Sequence, residues 1–333
     1  MKRLFFFLTA LCCAGSLLFG TGKQEEAPEP VKFGVLLPAP VSPWTRALYW
    51  EAVQAAALAS MESRGGFEFR VRSAASSGEQ IEQIRELAAL GSGWLVIFPL
   101  DSAAVTPVLK ELHSLGIRIV AADQGLTDLD FGWAGVAWDH EAAGTESGRA
   151  LALEMRNSLL ANYLCLGGAA GPAEAELMDA FFREMEKSSS LVNILGGRTY
   201  IPTGYDPSTA YREAAALFRR FPRIDAVYCP DDDALVEVLK AAEEADRSDI
   251  KLFFGRGGSR AVCALILDHK SRVDATVLHG PSIAGEAVRF AVSAATEQEG
   301  AAFHNAPNAR TIRIPAVLIN RSNADRYAGS GGY

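Results

Sequence analysis

Between Gly78 and Gly125 the chain alternates two hydrophobic rhythms. Ile81, Ile84, Leu87 and Ala88 recur at helical spacing, whereas Trp94 to Phe98 is a short unbroken apolar run, and a second helix and strand follow. An apolar run of that length suits a parallel strand buried on both faces. Both strands stop abruptly at polar residues, Pro99-Leu100-Asp101 and Asp123-Gln124. The unit therefore reads as α/β, and the carboxyl ends of parallel strands are where an open sheet places ligand groups.

The same cadence extends both ways. Upstream lie a strand from Val31 to Leu37, closed by Pro38, an Ala-rich helix from about Trp44 to Met61 and a strand from Phe67 to Val71. Downstream, Gly132 to Trp138 reads as a strand and Glu141 to Met155 as a helix. A second series begins at Tyr163: strands at Tyr163–Leu166, Leu191–Leu195, Ile224–Tyr228, Lys251–Phe254 and Asp274–Leu278. The intervening helices are Ala173–Met185, Ser208–Phe218 and Ala234–Ala245, with a further one from Ser282 to Thr296. Two successive series imply two sheets of similar build.

The N-terminus has a different pattern. Lys2 and Arg3 precede an apolar stretch from Leu4 to Phe19, then Gly20, Thr21 and Gly22, then a polar segment. That is the layout of a secretory signal peptide over residues 1–22, with 23–30 as an acidic, Pro-punctuated linker. The stretch falls short of the ~20 apolar residues of a membrane span. Cys12 and Cys13 inside it raise a lipid anchor, although Thr9-Ala10-Leu11 departs from the usual bacterial lipobox. Loss of Lys2 and Arg3 would move the net charge from −8 to −10, since no acidic residue precedes Glu25. Such a surface disfavours nucleic acid. Cys165, Cys229 and Cys263 lie in apolar runs without paired spacing, which fits buried free thiols.

The residues at the strand ends form a coherent set: Ser42, Trp44, Phe98, Asp101, Asp123, Gln124, Tyr205, Asp206, Asp231, Asp232, Arg256 and His279. Flat aromatic faces together with carboxylates, an amide and a guanidinium suit a sugar ring and its hydroxyls. Several have plainer alternatives. Asp123 could cap a turn, Trp44 could be core, Asp233 would cap the helix starting at Ala234, and His279 could satisfy backbone groups. Arg256, between glycines, could pair with a cleft carboxylate or an anionic ligand. Gly167-Gly168 and Gly255-Arg256-Gly257-Gly258 lack the spacing of phosphate loops, no hydrolase or paired-Cys motif appears, and the five histidines give no metal-ligand spacing. No cofactor, metal or catalytic residue is expected.

The anchors Gln80-Ile81-Glu82-Gln83-Ile84, WLVIFPLDSAAV, IRIVAAD ending at Asp123, and DAVYCPDDDALVEVLKA make the chain resemble the periplasmic sugar-binding proteins of bacterial ABC transporters, the type I fold of the ribose and galactose binders. The resemblance implies two three-layer α/β lobes with parallel sheets, joined by a hinge of three crossings, near Trp138-Asp139, His279-Gly280 and Pro315–Val317. The N-terminal lobe would be 31–138 plus 280–316 and the C-terminal lobe 139–279 plus 317–333. It further implies ligand contacts from Trp44, Tyr205, Asp123, Gln124, Asp231 and His279. Two departures stand out: GPAEAELMDAF offers Glu174 and Glu176 where the family often has an arginine, and Gly255-Arg256-Gly257 replaces a Gly-Phe-Asp pattern. The expected function is non-enzymatic capture of a monosaccharide or similar polyol for an ABC importer's membrane subunits. The alternative is a ligand sensor presenting its closed form to a chemoreceptor or sensor kinase.

Overall fold

The computed structural model describes residues 29–127, 131, 134–156, 160–168, 171–188, 192–197, 199–296, 311–331 and 333. The expected signal peptide and most of the linker lie outside them, as do Gly132 and Leu191. Among the described residues no helix is long and apolar enough to cross a membrane.

The first sheet is built from β1 (Val31–Pro38), β2 (Phe67–Ala74), β3 (Trp94–Ile97), β4 (Arg118–Ala122), β5 (Ala134–Trp138) and, from far along the chain, β12 (Thr311–Ile314). Its order is β12-β5-β4-β3-β1-β2, and every pairing is parallel. Strand parity divides its side chains. Phe33, Val35 and Leu37 of β1 and Trp94 and Val96 of β3 pack under α1 (Pro43–Glu62) and α9 (Ile283–Thr296). Leu36, Leu95 and Ile97 face α2 (Ser77–Ala89) and α3 (Ser102–Ser114) instead. Both faces are thus covered, which is why the strands read as continuous apolar runs.

The second sheet contains β6 (Ala161–Gly167), β7 (Val192–Ile194), β9 (Ala226–Tyr228), β10 (Leu252–Gly257), β11 (Val273–Leu278) and β13 (Leu318–Asn320), in the order β13-β11-β10-β9-β6-β7. The two-residue β8 (Ile201–Pro202) pairs with the end of β6, and β13 alone runs antiparallel. One face carries α4 (His140–Met155) and α5 (Pro172–Ser188); the other carries α6 (Pro207–Arg220), α7 (Asp232–Glu244) and α8 (Arg260–Leu267). The chain passes between the sheets after Trp138, after Leu278 and after Ile314.

Close approach of α4 and α5 depends on two glycines one turn apart. A Cβ on Gly144 would sit 2.0 Å from the Leu177 carbonyl oxygen, and one on Gly148 would sit 2.7 Å from that of Phe181. Only glycine lets these backbones meet.

Two local expectations need correction. β10 does not stop at Phe254: Arg256 is a ladder residue opposite Val277, not part of a glycine loop. Gly255 and Gly257 are there because Asp232 packs against them; a Cβ would approach its side chain to 2.3 and 2.7 Å. The helix after β9 starts at Asp232, and its cap is Asp231, whose Oδ1 accepts the Ala234 amide at 2.7 Å. Asp233 therefore does not cap it.

Candidate functional site

Strands β3, β4 and β5 of the first sheet and β6, β9, β10 and β11 of the second end toward one another, and their loops supply facing walls. On the first wall Asp123 ends β4 with φ +63°. Its N–H donates to the Val136 carbonyl at 2.8 Å, so the ladder fixes the residue while the side chain is released sideways. Its Oδ1 stands 3.4 Å from His279 Nε2, with both side chains about 15% and 14% exposed. Burial pushes the Asp123 carboxyl up, but His279, His140 and Arg256 together outweigh it and hold it below the usual carboxylate range.

Four rings gather beside this carboxylate. The Trp44 ring lies parallel to His279, with centroids 5.9 Å apart and planes at 12°. Trp138 and His140 flank the same imidazole at 5.8 and 5.9 Å. Trp44 Nε1 also donates to the His279 carbonyl at 3.2 Å, tying α1 to the crossing after β11. Burial, with Arg256 nearby, lowers His140 to about 3 and depresses His279 as well. Both imidazoles are therefore neutral near pH 7, and Arg256 is the fixed cation among these groups.

The second wall is organised around Glu174. Its Oε1 accepts the Gly168 amide and its Oε2 accepts the Tyr205 hydroxyl, each at 2.6 Å. Tyr205, at φ +59°, lies over Gly168, where a Cβ would come 1.9 Å from the ring. Arg256, 4% exposed, donates from Nε to the Pro230 carbonyl at 3.3 Å and reaches the Tyr205 oxygen from Nη2 at 3.5 Å. Burial pushes the Tyr205 phenol far up, so it stays protonated. Asp231 is also pushed up by burial, to about 7.

A cavity of about 170 Å³ lies between the ends of β4, β5 and β12 and the start of α5, lined by Asp123, Gln124, Trp138, His140, Glu176 and Arg313 among others, next to the groups of the second wall and not lined by them. Arg313 of β12 and Glu176 of α5 close its edge with an ion pair at 2.5 Å. Among the described residues, the buried side-chain atoms without a hydrogen-bond partner include Asp123 Oδ1, Trp138 Nε1, both ring nitrogens of His140, Arg256 Nη1 and His279 Nε2. Orphaned buried groups are costly and rare. Six such atoms gather on the two facing walls, an arrangement that a polar molecule held between them would satisfy.

The structure thus brings Trp44, Asp123, Tyr205, Arg256 and His279 together, with Gln124 exposed at the lip. Ser42 is occupied as the cap of α1, accepting the Thr45 amide at 3.1 Å. Asp101, Asp206 and Asp231 similarly cap α3, α6 and α7. Phe98, 3% exposed, shares the parity of Trp94 and Val96 and packs in the core. Asp232 is fully buried and binds Thr276 Oγ1 and the Ser259 amide, both at 2.8 Å. Sequence reasoning missed Trp138 and His140, although both flank a strand end, and it missed the role of Glu174. It also missed that Gln80 fixes the loop after β3, donating to the Phe98 carbonyl at 2.9 Å and accepting the Leu100 amide at 3.0 Å. No group of three His, Cys, Asp or Glu side chains among the described residues stands ready to hold a metal ion. Cys165, Cys229 and Cys263 are buried free thiols.

The chain is similar to known proteins over most of its length. It is 26% identical over 250 residues to the ribose import binding protein of Bacillus subtilis, covering 73% of each chain. A solute-binding protein of an ABC transporter from Bacillus halodurans C-125, solved with bound myo-inositol, superposes with a TM-score of 0.75 at 18% identity, over 91% of this chain and 99% of that one. The binding protein of the arabinose ABC transporter from Shewanella sp. ANA-3, solved with L-arabinofuranose, superposes with a TM-score of 0.74 at 18% identity, over 90% and 95%. These two likenesses establish the fold, two α/β sheets of the type I periplasmic binding proteins. Residues 33–299 match the model of the periplasmic binding protein domain, and the chain belongs to that family of solute-binding proteins.

Proposed function

We propose that the protein is an exported, non-enzymatic solute-binding protein that captures a monosaccharide or similar polyol between its two sheets and delivers it to the membrane subunits of an ABC importer. The observation that carries this is the set of orphaned donors and acceptors on Asp123, Trp138 and His140, which line one small cavity, together with those on Arg256 and His279 beside Asp123. A polyol hydroxyl both donates and accepts, so one molecule can satisfy a carboxylate, a guanidinium and two imidazoles at once. At about 170 Å³ the space is smaller than the ~300–1,000 Å³ of drug-sized pockets, which suits a single sugar ring. The indole and imidazole rings supply the flat apolar surface that a sugar face packs against. Ribose, arabinose and myo-inositol binding by similar proteins supports the same class.

The two sheets with their helices act as lobes, 31–138 plus 280–316 and 139–279 plus 317–333, that close on the solute by bending at the three crossings. Closure brings the rims of both lobes into one surface for the membrane subunits to read. Family membership supports an extracytoplasmic location, with residues 1–22 as the export signal and a lipid anchor as one way of tethering. A thermal-shift panel of pentoses, hexoses, inositols and alditols tests the reading, because a molecule that binds only the folded chain raises its melting temperature. At least one member should do so, and Asp123→Ala should remove the shift. A panel that leaves the wild type unmoved would count against the proposal.

A further inference from the structure

Glu174, 2% exposed, stands in the first turn of α5 and touches two loops of the second wall. Its two oxygens are committed, one to the Gly168 amide after β6 and one to the Tyr205 hydroxyl after β8, both at 2.6 Å. These are short, charge-assisted bonds in a dry setting, the stronger kind. They hold a backbone that would not choose this shape alone, since Gly204 and Tyr205 stand in succession at φ +65° and +59°. Gly168 is pinned from both sides, by Glu174 on its amide and by the Tyr205 ring against its α-carbon.

We infer that Glu174 is the positioning residue of the second wall, holding Tyr205 and, through it, Arg256 in the orientation that meets the solute. The inference rests on reading this cleft as the solute site. Because the phenol proton goes to Glu174, the Tyr205 oxygen is left to accept, from Arg256 Nη2 and from a solute hydroxyl. Arg256 Nη1 has no partner, and guanidinium nitrogens only donate. The wall therefore presents one acceptor beside one donor, the pattern that a sugar hydroxyl, or two on adjacent carbons, answers. Arg256 makes no ion pair with a carboxylate among the described residues; Glu174, acting across Tyr205, is the nearer negative influence on it, ahead of Asp123 on the first wall. Glutamine cannot reproduce this arrangement. An amide accepts through one atom and donates through the other, so either Gly168 or Tyr205 loses its acceptor.

The test uses the full chain with Glu174→Gln, Tyr205→Phe and the double variant. Calorimetry with D-ribose, D-galactose, L-arabinose and myo-inositol gives affinity, and amide hydrogen exchange at Gly168 is read without sugar. Expected results are faster Gly168 exchange in Glu174→Gln and a loss of tenfold or more in affinity for whichever of the four sugars the wild type binds. Tyr205→Phe should show a similar loss, with the double variant no weaker than the worse single one. Wild-type affinity in Glu174→Gln, additive losses, or unchanged Gly168 exchange would overturn the inference. Should Glu174→Gln fail to fold, Tyr205→Phe decides: undiminished affinity there overturns it. If none of the four sugars binds the wild type, the proposed function is what suffers, and Gly168 exchange still decides whether Glu174 holds this wall.

Discussion

At the scale of single residues, the cleft is a contest between burial and partnership. Asp123 keeps its charge because cationic and imidazole groups surround it, whereas Asp231, buried beside two further aspartates, is pushed up to about 7. An unfolded aspartate titrates near ~3.9, so the native chain holds the extra proton between roughly pH 4 and 7. Stability from this source is present below that window and is lost as pH rises through it. Asp231→Asn keeps a side-chain oxygen for the Ala234 amide but removes the ionisation. Melting temperatures measured from pH 5 to 8 should therefore fall less steeply in the variant; an unchanged slope would place the titration elsewhere. Asp123→Ala should act differently, costing about 10- to 100-fold in affinity if each bond to a charged group is worth ~1.5–3 kcal/mol.

At the scale of elements, the strand-end carboxylates sort by what the next helix needs. Asp101, Asp206 and Asp231 sit immediately before helices α3, α6 and α7, and each is drawn onto the first free amides of its helix. No helix begins within three residues of Asp123, so its side chain is left to the cleft. That distinction predicts that Asp101→Ala lowers stability by ~1 kcal/mol, as for a lost cap, with sugar affinity unchanged. Denaturant melts paired with titrations separate the two effects. The α4–α5 seam gives a second prediction. Gly144→Ala should cost ~1–3 kcal/mol by overpacking against Leu177, seen as an earlier unfolding of the second lobe.

At the scale of the whole molecule, apolar rhythm made the central strands of both sheets and nearly all the longer helices legible, because strands buried on both faces are unbroken runs, whereas the short β8 and the edge strands β12 and β13 were not read. The cleft was only half legible. Asp123, Tyr205, Arg256, His279 and Trp44 could be singled out because strand ends are visible in sequence, and the structure brings them together; Phe98 was singled out with them, although its parity with Trp94 and Val96 turns it into the core. Glu174, Trp138 and His140 acquire their roles only when loops distant in sequence converge. Arg256 looked like a loop residue because Gly255 and Gly257 mimic a turn, yet those glycines answer to Asp232 packing across the sheet.

The most direct measurement is a crystal structure of the chain with the panel sugar or polyol that raises its melting temperature most. The expected density lies between the sheets, with hydroxyls within hydrogen-bond distance of Asp123 on one side and of Arg256 or Tyr205 on the other, and a ring face against Trp44, Trp138 or His279. A sugar bound to one sheet alone, or outside this cleft with Asp123 and Arg256 untouched, would contradict the assignment.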